Sequence, residues 1–189
     1  MIDYLDFATR IDAGLAAEKM RIWRQLTLTN GRPISIYAAT DKGKFGGVLL
    51  HFFLTYIKTA TPNDFERFSN DCLEYSLRAN QVPTAKQLIS SCLVLPCLAT
   101  HTTFRELVDA AEKAEKIGKE NCKERTGGQQ SSFLQTAIMP CLLNLTTHKS
   151  FHSGAQNGFG DGIFKSGEEL LIKTVVPANS PLAQDLRHR

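Results

Sequence analysis

The segment at residues 41–47 contains the residue types that bind anions. Its sequence, Asp-Lys-Gly-Lys-Phe-Gly-Gly, places Lys42 and Lys44 just before Gly46 and Gly47. We expect a helix to begin directly after these glycines, where uncovered backbone N–H groups and the helix dipole favour negative charge. The spacing matches neither the Walker phosphate-binding loop nor the three-glycine dinucleotide fingerprint. The segment therefore predicts contact with a phosphate group without nucleotide chemistry. The alternative is a glycine-assisted turn with solvated lysines.

Two further groups of basic residues are spaced to follow a phosphate backbone. The first lies along one face of a predicted helix: Lys116, Lys119, Lys123 and Arg125. The second lies in the first segment beside Trp23: Arg10, Lys19, Arg21 and Arg24. Arg32, in the turn that follows, is a further candidate for a phosphate contact. Such rows contact phosphates without reading bases, and the tryptophan is available for stacking on a base. Acidic residues alternate with the lysines of the first group and cancel much of their field. An ordinary solvated helix is therefore the alternative there.

Cysteine and histidine residues suggest two other chemistries. Cys141, His148 and His152 include two histidines spaced to share a helix face, but no fourth ligand is spaced to match, so we expect no metal. A nucleophilic pair of Cys97 or Cys141 with His101 or His148 would make the chain a small enzyme. Both cysteines follow proline inside apolar runs, where buried, inert thiols are more common. We therefore expect these two cysteines to be structural.

Composition narrows the class of protein. The chain has 189 residues, which fits one compact domain or one domain with an appendage. Its five cysteines lack the spacing of a disulfide framework, and the start of the chain does not resemble a signal peptide. No apolar run is long enough to span a bilayer. A net charge of +3 permits an anionic partner. These observations predict a cytoplasmic protein without a cofactor.

Helical periodicity dominates residues 1–125. A helix is expected from the Thr61-Pro62 start to about Asn80, and another from a capping box that begins at Thr103. The segment 4–28 predicts one helix or two short ones. Three apolar runs, at 48–59, 83–95 and 133–145, predict buried helices.

Proline interrupts two of the apolar runs in the same way. Leu95-Pro96-Cys97-Leu98 resembles Met139-Pro140-Cys141-Leu142, and each proline is expected to end or kink a helix. The resemblance indicates either an internal duplication or two apolar helices that are alike by chance. Strands are expected only at 34–38 and in a C-terminal hairpin within 162–176, and residues 146–168 are expected to form a loop.

Together these elements predict a mainly α fold, a compact multi-helix domain or helical bundle with a short strand near 34–38 and a small C-terminal β-hairpin. Residues 1–125 would form a helical domain, and residues 126–189 a helix, a loop rich in Gly, Ser and His, the hairpin and a tail on the same core. The functional hypothesis is a non-enzymatic helical subunit of a nucleoprotein complex that touches phosphate backbone, RNA included, without base readout. Small helical subunits of CRISPR-type effector complexes are an analogy in architecture only. The alternatives are a protein-protein adaptor without nucleic acid and a small cytosolic Cys/His enzyme.

Overall fold

The part of the chain that the structure describes consists of three helices and seven strands. In this computed structural model the described residues are 4–40, 48–79, 91–125, 135–147 and 149–152. The helices are α1 (Tyr4–Ala17), α2 (Pro62–Ala79) and α3 (Phe104–Arg125). The strands are β1 (Arg21–Arg24), β2 (Ile36–Ala39), β3 (Val48–Tyr56), β4 (Ser91–Thr100), β5 (Gln135–Ile138), β6 (Cys141–Asn144) and β7 (Lys149–His152).

All seven strands belong to one mixed sheet. The order is β1-β2-β3-β4-β6-β7, and β5 pairs with the first part of β4 in line with β6, so the seven strands fill six positions. β3, β4, β5 and β6 run parallel, whereas β1 with β2, β2 with β3, and β6 with β7 are antiparallel pairs. α2 connects β3 to β4, and α3 connects β4 to β5. These are the helical crossovers that parallel neighbours require, so the fold is α/β.

The predicted mainly α, multi-helix fold is therefore wrong, and so is the helical bundle. The run at 48–59 contains β3, the end of the run at 83–95 lies in β4, and the run at 133–145 contains β5 and β6. A parallel strand that is covered on both faces is apolar at nearly every position, so it lacks the alternation that marks a strand with one wet face. Over such short lengths an apolar run does not distinguish a strand from a buried helix.

Two prolines stand where one ladder of the sheet is interrupted. The backbone O of Val94 accepts from Met139 N, and that of Thr100 accepts from Leu145 N, so even-numbered residues of β4 bond toward β5 and β6. Pro96 lies between them and has no N–H to donate. Opposite it the partner strand is broken at Met139 and Pro140, between β5 and β6. The prolines that we expected to end helices instead share the break in a sheet.

The resemblance between the two proline-containing segments has a structural counterpart. Cys97 pairs with Cys141 and Leu98 with Leu142 in the parallel register of β4 and β6. The two segments therefore lie side by side in the centre of the fold.

Helices cover the sheet on both faces. On one face α1 packs through three buried residues spaced four apart, Phe7, Ile11 and Leu15. The other face is covered by α2 and α3, which also pack against each other. Successive residues of each strand alternate between the faces. Phe52 and Leu95 belong to the α1 side, whereas Phe53 and Val94 belong to the α2 side.

Other element predictions are confirmed. α2 begins where expected, because the Thr61 N–H and hydroxyl both donate to the Asp64 carboxylate, at 3.0 and 2.6 Å. The Asp64 N–H in turn donates to the Thr61 hydroxyl at 3.3 Å, which completes a capping box. α3 begins directly after Thr103, and β2 overlaps the strand expected at 34–38.

Four segments differ from expectation or lie outside the described residues. Within 4–28, α1 ends at Ala17 and the chain continues as β1. β7 lies in the segment 146–168 that we expected to be a loop. The predicted hairpin at 162–176 and the helix start near 83 fall outside the described residues.

Substitution of Cys97 tests the predicted buried, structural role of the paired cysteines. Cys97 and Cys141 are both 0% exposed in the α1-side core, which confirms their predicted burial. Cys97→Ser places a hydroxyl in this apolar layer and should lower the free energy of unfolding by roughly 1–3 kcal/mol, measured by urea denaturation. Cys97→Ala, the matched control, should lower it less. A serine variant at least as stable as the alanine variant would contradict this account.

Candidate functional site

The basic residues around Trp23 are divided between the two faces of the sheet. Arg21 and Trp23 lie on the α2 side, where the Arg21 guanidinium carbon is 4.8 Å from the centre of the indole ring. Trp23 stacks in turn on Tyr37, with ring centres 5.0 Å apart. Arg24 lies on the α1 side and forms an ion pair with Asp12. Arg21 and Arg24 thus do not form one continuous surface.

Carboxylates partly neutralise other predicted contacts. The Arg32 side chain lies 3.5 Å from the carboxylate of Asp71 on α2. Lys116 is exposed on α3, and Lys119 and Lys123 are in the same helix, although their side chains lie outside the described set. Acidic side chains alternate with these lysines along α3, as the sequence indicates. Arg21 differs because its described neighbour is an aromatic ring.

The predicted phosphate loop lies outside the described residues. Lys42, Lys44, Gly46 and Gly47 belong to residues 41–47, which connect β2 to β3. The element that follows them is β3, so the expected helix start after the glycines is wrong. The argument for an anion at a helix N-terminus therefore does not hold for this loop. Only the positive charges of its two lysines still support contact with phosphate.

A cleft lies between α1 and the first strands of the sheet. Its volume is about 670 Å³, and its lining includes Tyr4 and Leu5 of α1, Arg24 at the end of β1, and Tyr56 at the end of β3. The rings of Tyr4 and Tyr56 stack with their centres 4.7 Å apart. The sequence gives little indication of this cleft because its lining residues are far apart in the chain. We call it the α1 cleft.

Polar side chains organise the carboxyl ends of the parallel strands. Asn144 at the end of β6 donates to the backbone O of Thr102 at 2.7 Å and accepts from the N–H groups of Thr146 and Thr147. The Thr102 hydroxyl accepts from Ala60 N at 2.8 Å. These bonds tie the segments that follow β3, β4 and β6 to one another. Their partners are protein groups, which indicates a structural role.

Histidine and cysteine are not brought together at this edge. Nδ1 of His101 lies 2.8 Å from the Thr146 hydroxyl oxygen, beyond the end of β4. Cys97 and Cys141 are inside the core, and burial raises the pKa of Cys97 well above its usual value. A neutral, enclosed thiol is a poor nucleophile. His148 lies outside the described residues. The described geometry therefore does not favour a nucleophilic pair of His101 with Cys97 or Cys141.

A buried histidine stands among aromatic rings on the α2 side. His51 of β3 is 3% exposed, and its Nδ1 forms a hydrogen bond of 2.9 Å with the Ser76 hydroxyl of α2. The edges of Tyr37 and Phe53 contact its ring. Burial lowers the pKa of His51 to about 4 and raises that of Tyr37. The signal in the sequence is one histidine inside the apolar run Val48–Tyr56. We interpret His51 as a neutral core residue, because it is buried, bonded to Ser76 and enclosed by aromatic rings.

Metal binding and membrane insertion each require a specific feature of the chain. Among the described side chains, no three His, Cys, Asp or Glu residues are grouped closely enough to hold a metal ion. Within those same ranges, no helix is long and apolar enough to cross a membrane.

No family model, curated protein or solved structure matches this chain.

The pH dependence of stability tests the assignment of His51. Its pKa is about 4 in the folded protein against 6.5 for an ordinary histidine, so the unfolded chain binds more protons between these values. The stabilisation is complete above pH 6.5 and decreases as the pH falls towards 4, by up to about 3 kcal/mol. His51→Asn should remove this component from urea denaturation curves collected between pH 7 and 4. His101→Gln is the control at a more exposed histidine and should keep the wild-type slope. Equal slopes for wild type and His51→Asn would refute the assignment.

Proposed function

We propose that this protein is a non-enzymatic subunit of a nucleoprotein complex and that it contacts nucleic-acid phosphates without reading bases. The observation that carries the proposal is Arg21 held over Trp23 at the start of β1. An arginine on an indole face presents its N–H donors in a fixed plane, and phosphate oxygens accept from such a fork. The half-buried indole already stacks on Tyr37 and has the Arg21 guanidinium over its ring, so its proposed role is to hold Arg21 in place.

The register of the sheet supports a wider basic surface here. Arg21 pairs with Ala39, the last residue of β2. The chain from Ala39 to Lys42 is three residues long and cannot span more than about 11 Å. Lys42 and, two residues further on, Lys44 are therefore within reach of a phosphate backbone that contacts Arg21. This group of three, Arg21 with Lys42 and Lys44, is called the β1 basic group.

Membership of a larger assembly is supported by the edge of the sheet. β1 is the first strand in the order, and the described strands pair with it on one side only. A short edge strand with an arginine at each end resists uncontrolled pairing, yet it can accept a strand from a specific partner. Other protein subunits are therefore proposed partners beside nucleic acid.

The free state of the core cysteines is typical of a protein in a reducing compartment. Cys97 and Cys141 are register partners in adjacent strands and are free thiols. Oxidising compartments favour disulfides, whereas the cytoplasm keeps thiols reduced. We therefore propose a cytoplasmic location.

Removal of the β1 basic group should weaken binding to nucleic acid. Trp23 is the only tryptophan, so its fluorescence reports directly on a nucleic acid bound at β1. We expect single-stranded oligonucleotides of different sequence to quench it with similar affinity. The triple variant Arg21→Ala, Lys42→Ala, Lys44→Ala should bind at least about tenfold more weakly. The slope of log K against log salt should fall by roughly 0.7 for each phosphate group that the variant no longer neutralises.

Lys113→Ala is the matched control for this experiment. Lys113 pairs with Glu66 at 2.9 Å between α3 and α2, so the variant also loses a positive charge, but far from β1. Its affinity and salt slope should stay close to those of the wild type. The triple variant removes three positive charges and Lys113→Ala removes one, so an equal loss of affinity for each charge removed would indicate non-specific attraction. A complete absence of quenching at low salt would overturn the proposal and favour the adaptor alternative.

A further inference from the structure

We propose that the α1 cleft binds a small organic acid with a planar apolar group, with its carboxylate on Arg24. This site lies on the face of the sheet opposite Trp23 and goes beyond the proposed contact with nucleic acid. Its volume of about 670 Å³ is in the range of pockets that enclose small molecules, about 300–1,000 Å³. Its lining combines apolar side chains with about as many polar ones, among them Asp12, Arg24 and Gln25.

The charged end of the cleft consists of Arg24 and its partner Asp12. The Arg24 side chain is 70% exposed, whereas that of Asp12 is only 16% exposed. The carboxylate therefore holds one part of the guanidinium in place, and other N–H donors stay accessible. A guanidinium that is fixed on one side and open on the other suits a second carboxylate, which can accept two parallel hydrogen bonds.

The ion pair also leaves one buried oxygen of Asp12 without a hydrogen bond in the described part of the chain, which lowers the stability of the fold. Oδ1 of Asp12 is buried and has no hydrogen-bond partner among the described residues. Unsatisfied buried carboxylate oxygens are unusual in folded proteins, and a partly buried ion pair is weak evidence for stability. Asp12 is better explained as a positioning residue that orients Arg24 in the cleft.

Backbone strain occurs at the same end of the cleft. Gln25, the residue after Arg24, has a φ of 54°, a conformation that few residues other than glycine adopt. Its N–H donates to Ser35 O at 3.3 Å, so the neighbouring strand holds the strained turn in place. Such strain is often found at ligand sites, where it fixes the direction of side chains.

The walls of the cleft indicate a planar apolar group in the ligand. Leu5 is 73% exposed, whereas the other large hydrophobic side chains in the described part of the chain are buried or half-buried. Beside it, Tyr4 stacks on Tyr56 and extends a flat aromatic surface towards the end of β3. A planar ring gains contact with both surfaces and removes the Leu5 side chain from water.

Binding of 3-phenylpropionate, with 3-phenylpropionamide as its uncharged counterpart, tests this site. In ¹H–¹⁵N NMR titrations we expect the acid to shift amides of α1 and of residues 24–25, with a Kd on the order of 1 mM for so small a ligand. The amide should bind at least about fivefold more weakly. Arg24→Gln should weaken binding of the acid about tenfold and leave that of the amide almost unchanged. Arg21→Gln is the matched control and should bind both compounds as the wild type does.

Leu5→Glu provides a second test at an exposed position, where a change does not disturb the core. The new carboxylate should repel the acid and reduce its affinity about fivefold or more, with a smaller effect on the amide. Equal affinities for acid and amide, an unchanged Kd in Arg24→Gln, or shifts confined to other parts of the protein would each overturn the proposal. If Arg24→Gln fails to fold, Leu5→Glu decides the question. Equal affinity of Leu5→Glu and wild type for the acid would then refute the proposed site. The β1 basic group is unchanged in both variants, so this test fails or succeeds independently of nucleic-acid binding.

Discussion

Pairing along both sides of β4 is the constraint on which the rest of the structure depends. Ala99 O accepts from Ile57 N, so odd-numbered residues of β4 bond toward β3, whereas even-numbered residues bond toward β5 and β6. Each side of a ten-residue strand is thereby used. Pro96 is tolerated at this central position because its missing N–H faces the break between β5 and β6. Its other neighbour, Phe53 of β3, belongs to the ladder that the odd-numbered residues form, so that ladder loses nothing.

This parallel centre determines where the helices begin. α2 follows the end of β3 and α3 follows the end of β4, so both N-termini lie at the carboxyl edge of the sheet. α1 also begins there, since Tyr4 stacks on Tyr56. The α1 cleft opens at this edge, where open α/β sheets commonly bind ligands. Arg21 lies at the opposite edge, close to Ala39, so the proposed nucleic-acid surface and the cleft are separated by the length of β1 and by the thickness of the sheet.

Local signals allowed α2, α3 and approximately β2 to be predicted from the sequence. A capping box and a stripe of apolar residues depend on neighbours in the chain, so they identify a helix without knowledge of the fold. The sequence wrongly predicts helices at β3, β4 and β6, because burial on both faces of these strands removes the period of two. The two proline-containing segments were a sign that the apolar runs pair as strands, because they lie side by side in β4 and β6. Their similarity reflects adjacent positions in one sheet, which neither interpretation of the sequence considered.

The candidate sites show the same limit. The sequence shows Arg21 two residues from Trp23, but the helix expected over 4–28 would not place them on one face. The strand β1 does, because residues two apart in a strand share a face. The sequence also did not indicate that Arg24 would be paired with Asp12 or Arg32 with Asp71, since both ion pairs depend on tertiary packing. The α1 cleft combines residues from the first helix and from three strands, and only the sheet order brings them together.

The pairing of β4 with β6 is the central claim, and nuclear Overhauser contacts test it most directly. In a ¹⁵N-edited spectrum the account predicts contacts between residues 97–100 and 141–144, in the parallel register that joins Cys97 to Cys141. Contacts between residues three apart within 92–100 should be absent, because these are the mark of a helix. Helical contacts through 92–100, with none between the two segments, would contradict the sheet and with it both proposed sites.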